Sequence, residues 1–280
     1  MLALLKRNFL LYFRNRSGVF FSLLGALISF ILYIIFLQKN LTDAWAQLPN
    51  SGPVLNNWLM SGTLAVTGIT TSLAALTQLV KDREHQVDQD LYLSDQGKWR
   101  LPFSYLTSAI IISFFMQVFM YVLMCGYFRE VPSLSLLPEV LLIMLFSSLL
   151  SSLVNAIFVY FFHSVDSLGK FSTIVGTASG FLVGTYVPLG VLPDFAQLLM
   201  KCTPATYIAA LYRQVLMKEA VSETFKGRDD LLREFQEKMG VQLKWQALLT
   251  KEQTYLIVLG GILLALGIWI SLAKRSNKRK

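Results

Sequence analysis

Charged residues are scarce in this sequence of 280 residues. They make up 15% of the chain, whereas hydrophobic residues make up 54%, and soluble domains usually carry about 25% charged residues. With a mean hydropathy of +0.53, this shortage excludes an ordinary soluble domain and indicates a membrane protein. Cysteine is equally scarce, and Cys125 and Cys202 fit either a disulfide or two small apolar side chains.

Motifs of nucleotide-hydrolysing and metal-dependent enzymes are also missing. The sequence has no GxxxxGK[ST] phosphate-binding loop, no HExxH and no paired Cys/His metal spacing. The segment "HSVD", from His163 to Asp166, is better explained as a polar boundary than as an acid/base pair, with Ser164 or Asp166 capping the next helix. We therefore expect no catalytic residue, no metal site and no cofactor bound by this chain.

Long apolar runs are what the sequence has in abundance. Hydrocarbon about 30 Å thick requires roughly 20 apolar residues in a helix. Six windows reach that length and predict an all-α integral membrane protein, organised as a single membrane domain over residues 1–280. The six predicted transmembrane helices cover residues 18–37, 57–80, 103–128, 136–163, 171–190 and 254–273.

Lysine and arginine are distributed unevenly between the predicted loops. Cytoplasmic loops retain an excess of both, and the loops divide most clearly if both termini are cytoplasmic. The short outer loops then hold only Lys39 and Arg129, and segment 191–253 lies outside because long segments cross largely regardless of charge. The net charge of +8 therefore indicates membrane flanks in contact with anionic lipids, above all the tail "KRSNKRK", and no nucleic-acid partner.

The first 17 residues combine basic and apolar side chains. Leu2, Leu5, Phe9, Tyr12 and Phe13 share one face at helical spacing, and the basic residues lie mostly off that face. This pattern predicts an amphipathic helix lying in the cytoplasmic membrane interface.

Ionisable residues are absent from the interiors of the predicted spans. Ion-coupled carriers usually keep such residues as a relay, so their absence argues against that class. Neutral polar residues take their place and either hydrogen-bond between helices or line a path for an amphiphile; for Gln117 and Asn155 helix packing is the favoured interpretation. These residues are Thr67, Thr70, Thr71, Ser72, Gln117, Ser147, Ser148, Ser151, Ser152 and Asn155.

The predicted cytoplasmic loop 81–102 is longer and more charged than a plain connector requires. Its charges precede the apolar run "LYL", which predicts a short polar helix with an apolar flank, placed to meet another protein. A solvated charged turn is the alternative interpretation. The candidate contact residues are Asp82, Arg83, Glu84, His85, Asp88 and Asp90.

Glycines recur every fourth position in the fifth predicted span, at Gly176, Gly180 and Gly184. Small residues at this spacing allow close helix packing in lipid, so we expect this face to pack against another helix. Pro188 and Pro193 then end the helix, and Asp194 is expected to cap the next one.

Short apolar pieces fill the first part of segment 191–253. They are interrupted at Pro204, contain Tyr207 and are too short to cross, which predicts a re-entrant helical segment before the last span. Residues 222–252 carry apolar side chains at helical spacing among many charges, and they predict a small amphipathic outer helix.

These motifs together resemble the permease subunits of ABC type 2 exporters. The resemblance rests on the interfacial first helix, the six spans, the charged segment "DREHQVDQDLYLS" and the pattern "SGFLVGTYVPLGVLPDFAQLLMKCTPATYIAALYRQVL". It covers essentially the whole chain, although the charged outer loop before the last span is longer than in many members.

The resemblance implies a pair of permeases, identical or related, with two cytosolic ABC ATPase subunits that bind ATP and magnesium. Residues 82–90 would form the helix that couples to the ATPase. The fifth span, the second span and the re-entrant segment would border the path and its outer gate. The implied substrate is an amphiphile such as a drug, peptide, lipid or lipid-linked glycan, exported across a bacterial plasma membrane. A membrane sensor or immunity protein that binds an antimicrobial peptide, a scaffold for a cell-surface enzyme and an ion-coupled carrier are the alternatives.

Overall fold

The computed structural model describes residues 1–45, 51–93, 97–129 and 134–279. Residues 94–96 of the predicted loop 81–102 and Lys280 of the basic tail lie outside this part. The described chain is helical, and its helices are α1 (Leu2–Arg14), α2 (Arg16–Leu32), α3 (Gln38–Ala44), α4 (Ser51–Glu84), α5 (Val87–Leu93), α6 (Gly97–Phe128), α7 (Leu137–Val159), α8 (Val165–Leu182), α9 (Asp194–Lys201), α10 (Pro204–Leu216), α11 (Lys218–Thr224), α12 (Asp229–Lys238) and α13 (Lys251–Arg279).

Two short irregular helices complete the list. A π-helical turn, Tyr33–Leu37, joins α2 to α3 so that they continue as one long apolar rod. A 3-10 turn, Leu189–Val191, precedes α9.

Five helices in the described residues are long and apolar enough to cross a membrane. They are Arg16–Ala44, Ser51–Glu84, Trp99–Phe128, Leu137–Val159 and Lys251–Arg275. The chain is therefore a multi-pass helical membrane protein, as predicted. The count of six spans is not confirmed, because the predicted span 171–190 is instead the shorter helix α8, which ends at Leu182 and carries charged Asp166 and Lys170 near its start.

Helix α4 is the axis of the bundle. Of its most apolar stretch 78% is buried, compared with 22% for α13, so α4 is surrounded by other helices and α13 lies at the periphery. Small polar residues make this burial possible, because the hydroxyl groups of Thr67 and Thr71 donate to carbonyl oxygens of the preceding turn, at 2.8 and 2.6 Å. Because Gly68 has no side chain, Ser147 of α7 packs directly against its backbone.

The three glycines of α8 and the turn after it do not form one packing face, so that prediction is wrong. A Cβ atom at Gly180 would collide with the ring of Tyr186, which folds back from the following turn, whereas a Cβ at Gly176 would meet no described atom within 4 Å. Gly184 lies beyond the helix, at a φ of 71° that favours glycine. The close approach between helices occurs at Gly25 of α2, where a Cβ would lie 3.3 Å from the carbonyl oxygen of Gly176.

The segment from 191 to 250 folds into four short helices at the end of α4 that carries Trp58. Helix α10 begins at Pro204, which suits the first position of a helix, and α9 begins at Asp194 itself, so Asp194 is not the predicted cap. Within the predicted amphipathic outer helix, α12 forms with Phe235 fully buried. The re-entrant path of this segment is not confirmed and stays a prediction.

Candidate functional site

Helix α4 carries a buried polar cluster at each of its ends. At 1.5 Å per residue, Trp58 near its start and Asp82 near its end are roughly 36 Å apart, which is more than the thickness of the hydrocarbon. We call these two regions the Asp82 end and the Arg213 end, after the buried charged residue at the centre of each.

At the Asp82 end a single carboxylate joins three helices. Arg7 of α1 donates to both carboxylate oxygens of Asp82, with Nη1–Oδ2 at 2.7 Å and Nη2–Oδ1 at 2.9 Å. Gln78 Nε2 donates to Oδ1 at 2.7 Å, and the hydroxyl of Tyr105 on α6 donates to Oδ2. The hydrogen bond to Asp82 raises the pKa of Arg7 above its ordinary value. Asp82 is only 3% exposed, so it holds α1 and α6 against α4.

The next two residues extend this junction to α7 and α8. Arg83 Nη1 donates to the carbonyl oxygens of Phe162 at 2.8 Å and Tyr160 at 3.3 Å, in the turn that follows α7. Glu84 Oε2 accepts from the backbone N–H of Val165 at 3.0 Å, at the start of α8. A carboxylate is stabilising there because helix N-termini carry partial positive charge.

Ser164 also caps the N-terminus of α8, since its hydroxyl accepts from the backbone N–H of Ser167 at 3.3 Å. The predicted capping of this helix by Ser164 is therefore confirmed. The last turn of α4 thus contacts α1, α6, the end of α7 and the start of α8 through hydrogen bonds and ion pairs.

The chain turns sharply after α4 and continues into α5. Gln86 adopts a φ of 60°, in the left-handed region, which separates the two helices. Beyond it Asp88 is 8% exposed, whereas His85 and Asp90 are exposed. The six predicted coupling residues therefore do not form one surface: Asp82, Arg83 and Glu84 contact neighbouring helices, and His85 and Asp90 face outward.

Most of the predicted pathway residues in the spans are buried inside the bundle. Gln117 is fully buried, donates from Nε2 to Ser148 Oγ at 2.8 Å and accepts at Oε1 from the hydroxyl of Tyr212 at 2.8 Å. This network joins α6, α7 and α10, as the packing interpretation expects. Thr67 and Thr71 are fully buried and Thr70 is half-buried.

At the Arg213 end a buried guanidinium on α10 binds backbone carbonyl groups. Arg213 is 1% exposed, and its Nη2 donates to the carbonyl oxygens of Val183 at 3.1 Å and Gly184 at 2.9 Å. Its Nη1 donates to the carbonyl oxygen of Gly240 at 3.1 Å. None of the ion pairs in the described part of the chain includes Arg213.

On one side of Arg213 the guanidinium contacts an aromatic ring instead of a carboxylate. The guanidinium carbon lies 5.0 Å from the centre of the Trp58 ring, a cation–π contact. The indole Nε1 of Trp58 donates to the carbonyl oxygen of Met239 at 2.7 Å. Arg213 and Trp58 therefore join α4, α10, the end of α8 and the end of α12.

The predicted gate residues lie in α8, in α10 and in the turns between them, and one of them takes part in this cluster. Gly184 supplies one of the carbonyl groups that Arg213 binds, and Pro188 and Pro193 flank the 3-10 turn before α9. Tyr207 of α10 is 7% exposed, and its hydroxyl accepts from Trp245 Nε1 at 3.1 Å.

Sequence reasoning missed Arg7, Trp58 and Arg213 as partners in these clusters. Arg213 left a signal, because it is a lone cation after the apolar run "ATYIAALY", and such cations in apolar segments are usually buried with partners. Arg7 and Trp58 left none, since their partners are distant in sequence.

The two clusters lie on a bundle of span-length helices, and this bundle defines the class of the chain as a helical membrane protein. The sequence profile of the ABC-2 family transporter proteins matches residues 39–269. Because this match covers most of the chain, the protein belongs to that family and is a membrane permease of an ABC transporter. The predicted family is therefore confirmed. No curated protein matches the chain.

Proposed function

We propose that this chain is the transmembrane permease subunit of an ATP-driven exporter. It pairs with a second permease, identical or related, to form the path for an amphiphilic substrate such as a drug, peptide, lipid or lipid-linked glycan. Two cytosolic ABC ATPase subunits bind ATP and magnesium and supply the energy. The Asp82 end faces the cytoplasm of a bacterial cell, with both termini on that side.

The junction between α4 and α5 is the observation that carries this proposal. The outward-facing residues His85 and Asp90 lie next to the last turn of α4. Through Asp82, Arg83 and Glu84 this turn is bound to four other helices. A displacement of α5 by an ATPase would therefore move these helices together, since packed elements respond as units.

The exposed face of α8 supports a second permease. Thr173 and Thr177 are exposed on this helix, whereas the peripheral helix α13 exposes Leu256, Leu263 and Leu264. Leucine side chains are suited to lipid, and threonine-rich faces are suited to helix contacts or to a polar path. A partner permease that covers the α8 face would complete this path.

The test is to purify the tagged chain from its native host and to measure vanadate-sensitive ATP hydrolysis in the isolated complex. We expect the wild-type chain to bring an ABC ATPase with it. The double substitution His85→Glu with Asp90→Lys should reduce the hydrolysis that accompanies the permease about tenfold, because it adds a negative charge at 85 and reverses the charge at 90 on the outward face of the α4–α5 junction. Asp43→Lys, at an exposed carboxylate beyond the other end of the bundle, is the matched control and should not change it.

Two results with the purified complex would contradict the proposal. One is a wild-type chain that carries no ATPase, and the other is a double variant that retains wild-type hydrolysis and transport. Uphill transport by the chain reconstituted alone would also exclude an external motor.

A further inference from the structure

A largely apolar groove runs along one side of α8, between α8, α7 and the junction of α9 with α10. Its volume is about 460 Å³. Phe171, Val175 and Leu182 of α8 line the groove. At 3.6 residues per turn these three residues share one face of the helix, and Thr173 and Thr177 lie on the opposite face. The groove is therefore separate from the face that a second permease would cover.

The described residues that line the groove include no charged side chain. Phe158, Ile174 and Ala178 give it hydrocarbon walls, and it lies between helices that cross or border the membrane. An acyl or isoprenoid chain from the bilayer suits such walls, whereas a phosphate or an ammonium group would lack a partner there.

Two hydroxyl groups that line the groove already have hydrogen-bond partners close to them in sequence. The hydroxyl of Ser179 donates to the carbonyl oxygen of Gly176 at 3.0 Å, and that of Thr203 donates to Leu199 at 3.1 Å. Two oxygen atoms on α7 differ from them. Ser151 Oγ and Asn155 Oδ1 make no hydrogen bond with any residue that the structure describes, and both atoms border the open groove.

The orientation of the Asn155 amide follows from its two partners. Its Nδ2 donates to the carbonyl oxygen of Ile69 at 2.9 Å and to Ser72 Oγ at 2.8 Å. A carbonyl oxygen accepts only, so the nitrogen must face Ile69 and the oxygen Oδ1 is left without a donor. Ser151 precedes Asn155 by one helical turn, which places the two side chains on the same face of α7.

Both residues are nearly buried, with Ser151 9% and Asn155 4% exposed. Polar groups at such depth usually have hydrogen-bond partners, since leaving them without one costs free energy. Ser151 offers a hydroxyl that donates, and Asn155 offers an oxygen that accepts. One ligand hydroxyl satisfies both, because it can accept from the first and donate to the second.

We propose that this groove binds a single-chain neutral alcohol drawn from the bilayer. The ligand oxygen accepts from the Ser151 hydroxyl, the ligand hydroxyl donates to Asn155 Oδ1, and the hydrocarbon chain lies against Phe158, Ile174 and Ala178. The site goes beyond the proposed transport function, because binding in the groove requires neither ATP nor the ATPase subunits.

The experiment is photolabelling of the purified full chain in lipid nanodiscs. The probe is hexadecanol with a diazirine near the end of its chain, and its methyl ether, which has lost the donor hydrogen, is the matched probe. Labelled peptides are quantified by mass spectrometry. We expect the alcohol to label peptides of α7 and α8 about fivefold more than the ether, as the loss of one hydrogen bond predicts.

Matched variants test the two polar groups. Ser151→Ala should lower labelling by the alcohol to the level of the ether, whereas Ser179→Ala should leave it unchanged, since the Ser179 hydroxyl already has a partner. Ala178→Phe should fill the groove and remove labelling by both probes.

Equal labelling by alcohol and ether in the wild-type chain would overturn the proposal, because the groove would then accept any hydrocarbon chain. Unchanged labelling of Ser151→Ala would also overturn it. Competition of unlabelled hexadecanol against hexadecyl methyl ether on the wild-type chain gives the same decision without a variant. Because every readout is binding, failure here would leave the transport proposal standing, and failure of the transport proposal would leave this one standing.

Discussion

The two ends of α4 bury opposite charges in different ways. Asp82 is paired with a cation, Arg7, whose side chain remains 29% exposed. Arg213 has no carboxylate partner among the described residues and binds carbonyl oxygens and an aromatic ring instead. One end is an ion pair that water still reaches, and the other is a cation enclosed by neutral groups.

Helix termini explain how the neutral groups suffice. Val183 and Gly184 follow the end of α8, and Gly240 follows the end of α12. The last carbonyl groups of a helix carry partial negative charge, so two helix ends together replace a carboxylate for Arg213. The comparison shows that the Arg213 end depends on the positions of α8 and α12, whereas the Asp82 end depends on a pair of side chains.

The largest effect is expected from Arg213→Met. This change leaves three carbonyl oxygens without a donor and separates segment 191–250 from α8, at a cost of about 3 kcal/mol. Thermal unfolding in detergent and proteolysis of residues 218–250 should both show the loss. Arg233→Met, at an exposed arginine of the same segment, is the control and should leave both unchanged. An Arg213→Met variant as stable as the wild type would refute the role of this cluster.

Asp82→Asn should have the next largest effect, about 2 kcal/mol. The asparagine amide has no charge, and its NH₂ group faces a donor of Arg7 or Tyr105 where the carboxylate accepted a hydrogen bond. The loss is limited because the part-exposed Arg7 side chain can bind water instead. The double variant Asp82→Asn with Arg7→Gln should lose much less stability than the sum of the losses in the two single variants, because the two residues form one pair. Strict additivity in thermal unfolding would show that the ion pair contributes no coupling.

Trp58→Phe should cost about 1 kcal/mol. The ring remains beside Arg213, although phenylalanine binds cations less strongly, and the hydrogen bond to the carbonyl oxygen of Met239 is lost. Trp99→Phe, at a half-exposed tryptophan of α6, is the matched change. If both variants melt at the same temperature, the indole hydrogen bond does not stabilise the Arg213 end.

The smallest effect is expected from Glu84→Gln. The amide oxygen still accepts from Val165 N–H, and only the charge at the N-terminus of α8 is lost, about 0.5 kcal/mol. This loss of stability should become smaller still in high salt, since the Glu84 carboxylate is exposed. A loss as large as that of Asp82→Asn would mean that Glu84 belongs to the buried junction.

Much of the helical pattern could be predicted from the sequence, because a bilayer requires long uncharged helices whatever their neighbours. The apolar windows therefore correspond to α2, α4, α6, α7 and α13. The prediction for 171–190 was less accurate, because the helix ends before Gly184. The chain then turns back, and the ring of Tyr186 packs against Gly180. Residues 82–90 were predicted to form one helix that contacts another protein, but the contacts of Asp82, Arg83 and Glu84 depend on Arg7, Phe162 and Val165, which the sequence separates widely.

The sequence by itself determined that this protein lies in the membrane, that it is helical and that it belongs to a family of transporters, because composition and local patterns carry that information. Only the tertiary structure decided which polar residues are partners, which charges are buried and that Ser151 and Asn155 meet an apolar groove. The physical reason is that hydrophobicity acts residue by residue, whereas hydrogen bonds and ion pairs require two groups that folding alone brings together.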